Sequence, residues 1–188
     1  MKRLLLVLIT LLSCMSTRAQ QFNGVQLSGN RKEFTSSYLK SRTAASVVYR
    51  VENETAIKDK FLNYPVTLYI QREVGSNTDD VWSIWFDIIF PQSADWASMV
   101  KQYEEVLGYL TKQYGEPHPW LKSREFEYPY SGGNHIGKEL TALKYGKCKY
   151  SDIFIFGSWK LLMSFQYVDD VVNNTSYYSI MVSILPAR

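Results

Sequence analysis

The chain has 188 residues, 46% of them apolar and 15% aromatic, with 21 basic and 18 acidic side chains. Three of the basic residues, Lys2, Arg3 and Arg18, fall in the first 19 positions, where there is no acid. From Gln20 onward the charges balance, so the pI of 8.7 reflects the leader. A neutral domain exerts no general electrostatic pull on nucleic acid or anionic lipid, and no nucleic-acid partner is expected.

Lys2 and Arg3 precede Leu4 to Leu12, a run that is apolar apart from Thr10. This is the n-region and h-region of an export signal, far short of the roughly 20 residues that span a bilayer as a helix. Thr17 and Ala19 stand at the −3 and −1 positions of a signal-peptidase site. Residues 1–19 are therefore expected to leave as a signal peptide, giving a periplasmic or secreted product. Leu11-Leu12-Ser13-Cys14 is a competing lipobox, which would make Cys14 a lipidation site and tie the protein to a membrane. No later stretch is expected to span a membrane: "VWSIWFDIIF" is too short and carries Asp87. With Cys14 removed or acylated, Cys148 stands alone and no internal disulfide forms.

No stretch rich in Pro, Gly or Ser divides residues 20–188, which read as a single domain with its own core. Asn30, with Glu33 three positions on, starts a first helix through Phe34, Tyr38 and Leu39. Arg31 and Lys32 have the wrong sign for a helix start, so this helix must lean on packing. Ser46 to Glu52 alternates like a strand. Tyr64 to Arg72 alternates more clearly, with Val66, Leu68 and Ile70 on one face. After the turn cluster Gly75 to Asp80, Val81 to Phe90 puts Trp82, Ile84, Phe86, Ile88 and Phe90 on one face, and should pair with the preceding strand as an antiparallel hairpin.

A second helix follows, capped by Ser93 with Asp95 favouring its N-terminal dipole. Trp96, Met99, Val100, Tyr103, Leu107, Leu110 and Tyr114 recur at helical spacing, and Gly115 and Pro117 end it. Such a stripe is read as the face of a helix on a sheet. Residues 116–149 are less regular, with a short strand at Glu125 to Tyr130 and a short helix at Gly137 to Tyr145. Three strands close the chain: Tyr150 to Phe156, Trp159 to Val168 and Tyr177 to Leu185. Gly157-Ser158 is a two-residue hairpin turn of type I′ or II′. The order predicts an α+β domain on an antiparallel sheet of about six strands with two main helices, and a candidate duplication of α-β-β-β halves.

At "FNGVQLSGNRKEFTSSYL" and "YEEVLGYLTKQYGEP" the chain resembles uncharacterised exported α+β proteins of anaerobic Gram-negative bacteria. Phe22, Gly24, Val25, Leu27, Gly29, Phe34 and Leu39 match that family's N-terminal run, and Tyr114, Gly115 and Pro117 its second helix end. The closing "WKLLMSFQYVDDVVNN" is similar too. The chain departs from the pattern at Ser41-Arg42-Thr43-Ala44, where the family continues Lys-Gly-Phe. The resemblance implies a fold and an export route, and no activity.

Catalytic signatures are missing: no nucleophile elbow, phosphate loop, dinucleotide fingerprint or paired-histidine zinc helix occurs. The histidines after the leader are His118 and His135. Either could in principle pair with Cys148 as an envelope hydrolase, with Lys147 and Lys149 lowering the thiol pKa. A buried or edge thiol is the plainer reading, and no zinc spacing links these residues. Lys138, Lys144, Lys147 and Lys149 form a basic cluster, read as a solvated face. The segment "EPHPWLKSREFEYPYSGGNHI" collects aromatic residues in an irregular stretch, where binding residues concentrate. The expected function is a non-enzymatic binding or interaction module for an unknown protein or glycan partner. Its face would be His118, Trp120, Tyr128, Tyr130 and His135, with no cofactor and no metal.

Overall fold

A computed structural model describes residues 21–187 apart from Ser28, Gln92 and Val172. The expected signal peptide, with Cys14 and the Ala19 cut, lies outside the described residues. A small hairpin, β1 (Gln21–Phe22) and β2 (Val25–Gln26), leads into α1 (Arg31–Ser41). Asn30 caps α1 by accepting the Lys32 N–H at 2.8 Å. Arg31 is drawn off the helix start: its guanidinium donates to Asp79 and to the carbonyls of Val51 and Glu52. Phe34 and Tyr38 are buried, so packing holds this helix, as its unfavourable first turn requires.

Four strands follow as a meander: β3 (Ser46–Arg50), β4 (Glu54–Phe61), β5 (Tyr64–Gln71) and β6 (Ser83–Ile89). Then come α2 (Trp96–Tyr114), a 3-10 turn at Pro119–Leu121, β7 (Ser123–Phe126) and α3 (Glu139–Lys144). The last strands are β8 (Cys148–Phe156), β9 (Trp159–Asp170) and β10 (Thr175–Pro186). The fold is α+β with an antiparallel eight-stranded sheet, ordered β3-β4-β5-β6-β10-β9-β8-β7. Two four-strand meanders, each preceded by a long helix, therefore meet through their last strands.

The sheet exceeds the expected six strands by two. β4 has no counterpart among the expected strands, and β7 starts two residues before the expected Glu125 to Tyr130 and ends at Phe126. The cap of α2 also differs: Asp95, not Ser93, accepts the Ser98 N–H at 2.7 Å. The Gly157-Ser158 turn forms as expected, with Gly157 at φ 59° as the first position of a type II′ turn requires.

Among the described residues the three α-helices pack on one face of the sheet. Met99, Tyr103, Val106 and Leu110 of α2 and Phe34 and Tyr38 of α1 enter one core with Ile57, Ile70, Phe86, Leu161 and Val182. The two halves repeat a polar device inside this core. In the first, the Tyr38 hydroxyl and Arg42 Nε both donate to Asp59 Oδ2, at 2.8 and 2.9 Å. In the second, the Tyr103 hydroxyl donates to Asp152 Oδ2 at 2.9 Å, and Arg124 pairs with the same oxygen. Asp59 and Asp152 sit on β4 and β8, each the second strand of its meander, and each tyrosine comes from the long helix of its half. A buried carboxylate persists only when paired and hydrogen-bonded, and both halves meet that need the same way.

Candidate functional site

The residues expected to form a binding face fall into two groups, at opposite ends of β7. His118 donates its backbone N–H to Ile153 at 2.7 Å, which fastens the 118–121 turn to β8. Tyr128, Tyr130 and His135 lie beyond the other end of β7, where Glu127 bonds Lys147. Four strand residues separate the two groups, about 13 Å. Trp120 is 88% exposed and Tyr128 83% exposed. Tyr130 packs against the core. His135 stacks on Phe126, with ring centroids 3.9 Å apart, and its Nδ1 lies 3.3 Å from the Tyr130 carbonyl. His118 Nδ1 is buried without a hydrogen-bond partner. Of the basic cluster, Lys147 and Lys149 both pair with Glu127, and Lys144 lies over the Tyr167 ring.

Cys148 is buried. Burial pushes its thiol up to about 11, against a smaller downward pull from Arg124. At neutral pH roughly one thiol in ten thousand is then ionised, the opposite of an activated nucleophile. Among the described residues, no three of His, Cys, Asp and Glu gather as a metal site, and no helix is long and apolar enough to cross a membrane.

A different place has the features of a site. Among the described residues no helix packs on the face of the sheet opposite α1, α2 and α3. Its central row runs Ala56, Tyr69, Trp85, Ser183, Leu162, Ile153 across six strands. Tyr69 and Trp85 stack with centroids 4.0 Å apart and planes 14° from parallel. Ile89 and Ile155 of this face are 56% and 51% exposed. Exposed aromatic and aliphatic side chains therefore alternate on this face with polar ones such as Thr67, Asp87 and Ser179, a make-up common at interaction surfaces.

The ladder breaks beside the aromatic pair. β5 and β6 pair only at Tyr69↔Trp85, Ile70↔Ile84 and Gln71↔Ser83, although β5 extends back to Tyr64 and β6 on to Ile89. Past Trp85 the strands part. β5 stays on β4 to its end, and β6 stays on β10 as far as Ile89↔Ser179. The Phe90 N–H bonds the Tyr178 carbonyl, so even-numbered β6 residues turn their main chain to β10. By the two-residue alternation of an antiparallel ladder, Asp87 and Ile89 turn theirs to the opening. The same alternation, counted from the Phe61↔Tyr64 hairpin, points the main chain of Pro65 and Thr67 there. Pro65 has no N–H to leave unpaired, which is why a proline is tolerated in this strand.

The resulting cleft of about 290 Å³ is lined by Lys58, Thr67, Tyr69, Trp85, Asp87 and Tyr177, among others. Asp87 is half-buried and accepts the Ser179 hydroxyl at 3.0 Å. Burial raises its carboxyl pKa, only partly offset by that hydrogen bond. A cleft with aromatic walls, unpaired strand edges and two perturbed carboxylates, Asp87 raised and Asp59 lowered by Arg42 and its other donors, has the make-up of a binding site. Comparison with protein-family models, with curated proteins and with solved structures finds no match.

Proposed function

We propose that the protein is a non-enzymatic binding module, exported by its leader, that receives an extended segment of a protein partner in the β5–β6 cleft. The parting of β5 and β6 on the uncovered face carries this reading. Two strand edges there turn main-chain donors and acceptors toward the opening, the feature that recognition by strand addition uses. The Tyr69–Trp85 stack at the apex and Ile89 at the mouth supply apolar contacts for alternate side chains. The exposed Trp120 and Tyr128 remain available as flanking contacts.

The test is selection of short linear peptides on the folded protein, followed by mapping of backbone amide shifts. Selected peptides should move Thr67, Tyr69, Trp85, Asp87 and Ile89, and Trp85→Ala should weaken them at least about tenfold, as loss of a central aromatic contact does. Peptides that bind Trp85→Ala unchanged, or that map to His118, Trp120, Tyr128, Tyr130 and His135, would refute the cleft as the site.

A further inference from the structure

Among the described residues four other acids hold an arginine: Asp59 with Arg42 at 2.9 Å, Asp79 with Arg31 at 2.9 Å, Glu52 with Arg72 at 2.8 Å, and Asp152 with Arg124. In two of them the guanidinium also lies over tyrosine rings. Arg42 is 5.9 Å from the Tyr38 centroid, and Arg124 is 5.2 and 3.9 Å from those of Tyr103 and Tyr150. Asp87 has the surroundings without the cation. Tyr69, Trp85 and Tyr177 line its cleft, and Ser179 satisfies Oδ1. Among the described residues no ion pair reaches it. Lys58 lines the same cleft from β4, but its side chain is exposed.

We propose that the cleft takes an arginine side chain of the docked segment, its guanidinium pairing with Asp87 beside the rings of Trp85 and Tyr177. The proposal rests on the strand-docking reading above and names what that segment must carry. A planar guanidinium suits the place better than an ammonium. It presents parallel N–H donors to a carboxylate, stacks on aromatic faces and is weakly hydrated. It would also offset the cost of holding a half-buried carboxylate without a counter-ion. The internal Tyr–Asp–Arg clusters are the same chemistry satisfied within the chain.

The experiment titrates the full chain with three acetylated, amidated peptides of valine and threonine, differing in one central residue: arginine, citrulline or lysine. Amide shifts and the Trp85 indole N–H report binding. The arginine form should bind about tenfold or more tightly than the neutral citrulline form, as a charge-assisted pair does. Asp87→Asn, nearly isosteric and still able to accept from Ser179, should erase that difference and leave the citrulline form unaffected. Equal binding of the two forms, or a preference that survives Asp87→Asn, overturns the proposal. So does a lysine form that binds as tightly as arginine. An arginine preference that emerges only in Lys58→Met would mean that Lys58 already serves Asp87, and also overturns it. N-acetylarginine amide separates the two readings. If it shifts Asp87 and Trp85 while no peptide does, strand docking fails and the arginine site stands. If neither arginine probe shifts them, the arginine site fails by itself.

Discussion

Replacing Arg124 by Met should cost about 3 kcal/mol of stability. Asp152 is fully buried, its Oδ1 has no hydrogen-bond partner, and its Oδ2 is held by Tyr103 and Arg124. Without the guanidinium a buried carboxylate keeps a single neutral donor, and breaking such a pair costs about 3–5 kcal/mol. The lower end applies because the Arg124 side chain is 23% exposed, so water can enter its place. For a domain of this size the melting temperature should fall by about 6–12 °C. Urea unfolding followed by tryptophan fluorescence gives the change directly, with m unchanged if the transition stays two-state. Adding Asp152→Leu to Arg124→Met should restore much of the loss, because an apolar replacement of the whole pair is close to neutral; the coupling should exceed about 1 kcal/mol. Arg42→Met should cost less, about 1–2 kcal/mol by the same reasoning, since its side chain is 31% exposed and Asp59 keeps Tyr38 and the Lys60 N–H. A loss below about 1 kcal/mol at Arg124, or a larger loss at Arg42 than at Arg124, would refute the argument.

Asp87→Asn should be neutral or stabilising at pH 7. Burial raises the Asp87 pKa above 3.8, so the native state binds that proton more tightly and stability falls as pH rises from 3.8 through the folded value; the variant should flatten that stretch of a stability–pH curve. Asp59 has the opposite sign. Burial pushes its pKa up, but Arg42, the Lys60 N–H and Tyr38 together hold it below 3.8. Its contribution is present above 3.8 and lost as pH falls through the folded value, and Asp59→Asn should remove it. Native Cys148 should react with iodoacetamide slowly until pH approaches about 11; labelling at pH 8 at the rate of the unfolded chain would reinstate a reactive thiol. Trp120→Ala should change stability by less than about 0.5 kcal/mol, while Tyr130→Ala, which strips a side chain packed on the core, should cost about 1–3 kcal/mol. Urea melts of the two variants that coincide would show that Tyr130 does not anchor the segment.

The elements with strong periodicity were legible in the sequence. α2 declares itself through Met99, Tyr103, Leu107 and Leu110, and β5, β6, β8, β9 and β10 through alternation or the Gly157 turn. β4 was not, for two physical reasons. Its inward row is Thr55, Ile57, Asp59 and Phe61, and an acid at a core position breaks the apolar pattern until its partners Tyr38 and Arg42 are known. Its hairpin to β5 turns at Leu62 and Asn63, with Leu62 at φ 55°, a conformation that sequence signals assign to glycine or asparagine. The candidate site was illegible for a related reason. Tyr69, Trp85 and Asp87 read as the outer face of ordinary strands, and alternation says nothing about whether a neighbour stays paired. The one available signal was Pro65, a residue that a fully paired central strand does not accommodate. The 117–136 segment stands out by composition alone, and β7, running through its middle, separates its two ends.

The two halves explain why the cleft lies where it does. The seam that corresponds to β5–β6 in the second half is β9–β10, and it is closed along its whole length, from Trp159↔Pro186 to Asp170↔Thr175. A short loop joins those strands, so they leave the turn in register. The connection between β5 and β6, residues 72–82, is longer, and its far end is fastened elsewhere. The Arg31 N–H bonds the Asp79 carbonyl at 2.7 Å and the Val81 N–H bonds the Gly29 carbonyl at 3.1 Å. β6 therefore starts beside the N-terminus of α1, pairs with β5 only through its first three residues, Ser83 to Trp85, and then follows β10 alone. A sheet built from two similar halves has thus kept one seam shut and left the other open. At the open one, a stacked aromatic pair and an unpaired carboxylate stand where a ninth strand would meet them.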